Sequence, residues 1–115
     1  MADTLVVDRI DWVSFFDRLS HDQQGKLVTI EIMETDLGDQ YEVERLPFAY
    51  ATYDRRDDLV MVGVGGSTPR YPVVLRHVIE HPTEVDSAGS GDWPAVRVVG
   101  ADGAATLMRF YPPGG

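Results

Sequence analysis

Near the N-terminus, apolar residues recur at helical spacing. Trp12, Phe15, Phe16 and Leu19 share one stripe while Asp11, Ser14, Asp17 and Arg18 face away, which predicts a helix over about 9–24. Asp8 is placed to cap it, Val7 and Trp12 occupy the two staple positions, and Gly25 offers a stop. From Lys26 the period changes to two. Val28, Ile30 and Ile32 point one way and Thr29, Glu31 and Met33 the other, as in a half-buried strand.

Further strands follow at short intervals. Asp36 to Asp39 supplies a turn before an alternating stretch around Tyr41 and Val43, and Pro47 ends or bends that strand. Phe48 to Tyr53 resumes it on a different path, Asp54 to Asp58 forms a charged turn, and Leu59 to Val64 is a buried strand. Gly65 to Pro69 makes a loop before the β-branched stretch Val73 to Ile79, and Asp86 to Pro94 is expected to be irregular. Ala95 to Val99 and Ala105 to Tyr111 flank Ala101-Asp102-Gly103 as a hairpin. Its register places Val96, Val98, Met108 and Phe110 on the core face and Arg97, Leu107, Arg109 and Tyr111 on the other.

These elements predict an α+β fold, in which an N-terminal helix packs on a mostly antiparallel, bent sheet or half-open barrel of about six strands spanning about 26–111. Residues 112–115 read as a frayed tail. A length of 115 residues suits a single domain, because two cores would each be too small to bury enough apolar surface.

Charge changes the picture of partners. Nineteen acidic residues against ten basic ones give a net charge of -9, which repels nucleic acid and anionic membrane at long range. The acidity reads mainly as solvation. Mimicry of nucleic-acid charge is a third-ranked possibility that would require carboxylates along one face. With no cysteine, the chain has no disulfide, thiol nucleophile or thiolate ligand. Its start carries no basic and apolar leader pattern, so the expectation is a cytoplasmic protein.

Candidate chemistry is sparse. His77 and His81 are four residues apart, but in extended chain that separates them by roughly 13 Å, against a shared metal. His77 is then a strand residue bonded to backbone or carboxylate, and His81 a turn residue before Pro82. Gly63 to Thr68 resembles a phosphate-cradling loop but lacks the lysine and following helix of one. Asp54, Asp57 and Asp58 read as a solvated turn. No catalytic residue, metal or cofactor is assigned. The arginines inside strands, Arg76, Arg97 and Arg109, are explained most simply by pairs with Glu31, Glu42 or Glu44.

Trp12 and Phe16, Gln24 to Glu31, Asp36-Leu37-Gly38, Leu46-Pro47, His77-Val78-Ile79 with Pro82-Thr83, and Asp102-Gly103 with Thr106 to Phe110 together resemble a family of small bacterial proteins known only as a domain of unknown function. The resemblance implies a bacterial cytoplasmic protein and brings no catalytic residue with it. The leading expectation is a non-catalytic module that binds another protein or a second copy of itself, through an exposed sheet edge or the face of Arg97, Leu107, Arg109 and Tyr111. The alternative is a small-ligand-binding or enzymatic barrel with a pocket near His77.

Overall fold

A computed structural model describes residues 5–34, 38–66, 70, 72–89 and 94–111. The turn residues Asp36 and Leu37, the loop residues Ser67 to Pro69, positions 90–93 and the tail 112–115 lie outside the described residues.

The amphipathic stripe forms the helix it predicts. A short 3-10 turn, Arg9–Asp11, leads into α1, Trp12–Gln23, whose buried side is Trp12, Phe16, Leu19 and Gln23. Asp8 takes the capping position, and its carbonyl rather than its carboxylate receives the Asp11 N–H, at 2.8 Å. The Val7 and Trp12 pairing is fixed by a hydrogen bond, since the indole N–H donates to the Val7 carbonyl at 2.9 Å. Gly25 ends the helix at φ +86°, a conformation that a side chain disfavours.

The fold is α+β, as expected, but among the described residues the sheet has eight strands rather than about six. They are β1 (Leu5–Val6), β2 (Leu27–Glu34), β3 (Gly38–Asp54), β4 (Leu59–Val64), β5 (Leu75–Glu80), β6 (Glu84–Ala88), β7 (Ala95–Val99) and β8 (Ala105–Tyr111). Among the described residues every pairing is antiparallel, in the order β1-β6-β7-β8-β2-β3-β4-β5, and the sheet does not close.

The bend is built into β3. Its first half pairs with β2 and its second half with β4, and between them Arg45 adopts φ +51° and Pro47 passes through the strand. Register shifts on both sides of this point turn the chain without interrupting it. The expected irregular segment 86–94 is corrected in its first part. Residues Glu84–Ala88 form β6, because Val85 is fully buried opposite Val98 and Asp86 faces Arg97 across the ladder.

The inner face carries one apolar cluster, with the helix stripe packed over Val28, Ile30, Phe48, Val62, Met108 and Phe110 among others. Phe48 meets Phe110 edge to face at 4.9 Å, and Trp12 meets Tyr53 likewise at 5.1 Å. The last hairpin has the expected register, with Val96 opposite Met108 and Arg97 opposite Leu107. No helix among the described residues is long and apolar enough to cross a membrane.

Candidate functional site

Alternation along β5 decides where His77 goes. Leu75, His77 and Ile79 pair with Val64, Val62 and Val60, which are all buried, so these three side chains face inward while Arg76, Val78 and Glu80 face out. His77 crosses the interior to β8, where its Nε2 lies 3.2 Å from the Thr106 hydroxyl. Thr106 is itself buried on the inner face, opposite Val98 and Ile32. The partner seen at this nitrogen is thus a threonine hydroxyl, a group the expectation did not name.

Beside this contact, where β5 leans over β2, β8 and the 101–104 turn, the two halves of the bent sheet leave a cleft of about 420 Å³. Ile32, Ile79, Ala101 and Ala104 supply apolar lining, and the titratable residues along it are His77, His81, Glu34, Glu80 and Asp102. His77 and His81 thus border one cavity although the strand spacing separates them. Among the described residues no group of three or more His, Asp or Glu is arranged to hold a metal ion.

His81 is held from outside the cleft. It takes φ +48° before Pro82, its N–H donates to the Asp58 carbonyl at 2.8 Å, and its Nδ1 is 3.2 Å from Asp58 Oδ2. Asp58 also sits at positive φ, +52°, and its Oδ1 accepts the Tyr53 hydroxyl at 2.7 Å and Arg9 at 3.4 Å. Arg9 stacks on the Trp12 ring at 4.3 Å and donates to the Pro82 carbonyl at 3.0 Å, so this cluster ties the helix start to the edge of the cleft. Asp54 organises the turn itself, its carboxylate accepting the N–H groups of Arg56 and Asp57.

The Tyr53 hydrogen bond, then that of His81 and the nearby Arg9 charge, hold the Asp58 carboxyl below its ordinary 3.8. The same bond to Asp58, with burial, pushes the Tyr53 phenol above its ordinary 10.0. A lowered carboxyl pKa stabilises the fold above the unfolded value, and that stabilisation is lost as pH falls through the folded one. Asp58→Asn keeps a residue that tolerates positive φ while removing the charge. Its deficit in urea midpoint relative to the parent is expected to be full at neutral pH and to shrink progressively as pH drops below 3.8. A deficit that is constant with pH would contradict the ion-pair account of Asp58.

On the opposite, outer face, Arg97, Leu107, Arg109 and Tyr111 lie together as the register implies. Arg97 pairs with Glu84 at 2.6 Å and Asp86 at 3.2 Å, both from β6, instead of with Glu31, Glu42 or Glu44. Arg45 stacks on the Tyr111 ring at 4.4 Å, Leu107 is half-buried, and Arg109 is exposed. A small hollow of about 170 Å³ lies between Arg97, Leu107, Asp86, Ala88 and Ala95. Asp86 is only 7% exposed, and burial with the neighbouring Glu84 charge raises its carboxyl pKa against the opposing pull of Arg97. No sequence signal marked Asp86 or Glu84, since both stand in a stretch rich in turn formers.

Gly63 and Gly65 serve packing. The Tyr50 ring covers Gly63, where a Cβ would come within 2.9 Å of Cδ1, and Gly65 lies against the backbone of Val74.

The chain belongs to the family of unknown function DUF5335, whose model matches residues 3–114. It is also 27% identical over 110 residues to an uncharacterized protein of Aquifex aeolicus, covering 95% of this chain and 93% of that one. No solved structure matches the chain.

Proposed function

We propose that this member of a family of unknown function is a small-ligand-binding protein whose site is the cleft beside His77, and that its ligand carries an ammonium or guanidinium group on a short apolar body. The observation that carries the reading is an inward-facing, half-buried imidazole on an edge strand, opening onto a cavity of about 420 Å³. That volume falls within the usual range of about 300–1,000 Å³ for small-molecule sites. Its lining combines isoleucine and alanine with the carboxylates of Glu34 and Asp102, so a cationic head finds negative charge while an apolar stem finds an apolar wall. Thr106 orients the imidazole at the wall of the cleft. We propose that the protein acts in the bacterial cytoplasm.

The pocket alternative thereby moves ahead of the outer-face interaction reading. Arg97 is occupied by two carboxylates and Tyr111 by Arg45, so that face offers a partner little beyond Arg109 and Leu107. Titration with butylamine and agmatine, with butanol as the uncharged control, tests the proposal through the His77 imidazole signals in NMR spectra. Both amines are expected to shift those signals saturably and butanol is not, and His77→Ala, followed through the Ala101 and Ala104 amide signals, should weaken binding by about tenfold, the loss of one good polar contact. If neither amine perturbs His77, or if butanol does so equally, the proposal fails.

A further inference from the structure

Asp58 and His81 both hold the left-handed backbone conformation, at φ +52° and +48°, although neither is glycine. Such conformations persist only where the surroundings enforce them, and they gather at functional sites. Here the enforcement is mutual. The His81 N–H bonds to the Asp58 carbonyl, and the Asp58 carboxylate meets the ring of the same histidine. The two carboxylate oxygens have separate tasks. Oδ1 takes the Tyr53 hydroxyl and Arg9, and Oδ2 lies 3.2 Å from His81 Nδ1. That contact decides the tautomer of the ring. An ionised carboxylate only accepts hydrogen bonds, and the Tyr53 bond favours the ionised form of Asp58. In the neutral ring Nδ1 therefore carries the proton and Nε2 the lone pair. Nε2 has no hydrogen-bond partner among the described residues. His81 lines the cleft and Asp58 does not, so the carboxylate grips the ring from outside the cleft. The His81 side chain is 65% exposed, which leaves it within reach of a ligand. Glu34 and Asp102 border the same cleft, while the nearby cation, Arg9, is engaged by Asp58, Tyr53 and the Pro82 carbonyl.

We infer that His81 Nε2 is the acceptor that reads an N–H of the cationic head, with Asp58 as its positioning residue, so that the ligand is a primary ammonium or a guanidinium and not a quaternary ammonium. This inference rests on the cleft being the ligand site proposed above, and it narrows what that site accepts. Carboxylates attract any cation through charge, whether or not it carries N–H groups. A neutral imidazole nitrogen gains only from a directed donor, so it adds a discrimination that charge alone does not supply. A trimethylammonium head has the same charge as a primary ammonium and offers no N–H. The fixed tautomer matters for the same reason. With the proton on Nε2 instead, the ring would present a donor to a donor.

Nitrogen NMR of the intact, ligand-free chain tests the first step, at a pH where the His81 ring is neutral by its own titration. It is expected to show a bare Nε2 and a protonated Nδ1, and Asp58→Asn, whose amide can accept or donate, should give a mixture of tautomers. Titration with butylamine and with butyltrimethylammonium then reads the specificity. The parent is expected to favour butylamine by about tenfold or more, with the His81 Nε2 signal moving saturably. His81→Asn keeps a residue suited to positive φ and removes the imidazole acceptor. Its affinity for butylamine should fall by about tenfold while that for the quaternary amine holds, and Asp58→Asn should show part of the same loss. A protonated Nε2 in the neutral parent, equal affinity for the two amines, or a preference that survives His81→Asn would each overturn the inference. Butylamine that shifts the His77 signals and not those of His81 would overturn it and leave the cleft as the ligand site, whereas silence at both histidines removes both readings. Should His81→Asn unfold, an Asp58→Asn variant that keeps the full preference for butylamine overturns the inference in its place.

Discussion

Phe110→Ala is expected to lower the stability of the fold by about 3–5 kcal/mol, the usual cost of deleting a fully buried aromatic ring. Phe110 is 1% exposed, sits opposite Val28 across the β2–β8 ladder, and meets the edge of Phe48 at 4.9 Å. Two features keep the site from collapsing around the missing ring. Phe48 stands just past the bend of β3, where the Pro47 and Gly65 backbones already share a hydrogen bond of 2.8 Å, and the Phe110 N–H is held by the Pro94 carbonyl at 3.1 Å. The edge-to-face contact adds about 0.5–1.5 kcal/mol beyond area alone. Since domains of this kind are stable by about 5–15 kcal/mol, the variant should unfold at far lower urea with an unchanged slope. Fluorescence of the buried Trp12 can follow the transition, and a loss under about 1 kcal/mol would mean that this ring is not at the centre of the core.

Legibility followed the strength of local signals. The last hairpin was readable to the residue because Ala101-Asp102-Gly103 specifies a turn, and a turn specifies a register. Gly103 indeed takes φ +87°, and its N–H closes onto the Gly100 carbonyl at 3.0 Å. β6 was not readable, because Asp86 and Ser87 are turn formers by local preference, and their strand is made by pairing with β7 and by the Arg97 guanidinium. β1 is two residues long and has no local signal at all. Pro47 was legible as a bend or an end, and only the pairing of one chain with β2 and then β4 decides for the bend.

The site divides along the same line. That His77 lies in a strand was legible, and so was a turn at His81. That His77 faces inward follows from its being opposite Val62, a long-range fact absent from local pattern. The strand arginines were rightly singled out as needing partners. Arg97 finds its partners in Glu84 and Asp86 of β6, a strand whose residues locally favour turns. The cluster of Arg9, Tyr53, Asp58 and His81 joins three distant stretches of the chain, and no spacing rule could collect it.

Gly65→Ala is expected to cost about 2–4 kcal/mol, combining the penalty of positive φ with a backbone collision. Gly65 takes φ +115°, and a Cβ there would lie 2.9 Å from the Val74 amide nitrogen and press on its Cγ2. The nitrogen cannot yield freely, because its N–H is bonded to the Val64 carbonyl at 2.9 Å. Gly103→Ala separates the two contributions. It imposes the same kind of conformational strain at φ +87° but meets nothing within 4 Å, so its cost should stay near 1 kcal/mol. The excess in Gly65→Ala is therefore the collision, and its structural consequence is specific. Val74 leads directly into β5, so relief of the clash displaces Leu75 and with it the inward course of His77 toward Thr106. Paired urea titrations, with the His77 imidazole followed by NMR, should show the larger loss and a shifted imidazole in Gly65→Ala alone. Equal losses in the two variants would mean that the chain does not cross itself at Gly65, and that the glycine is there for its φ alone.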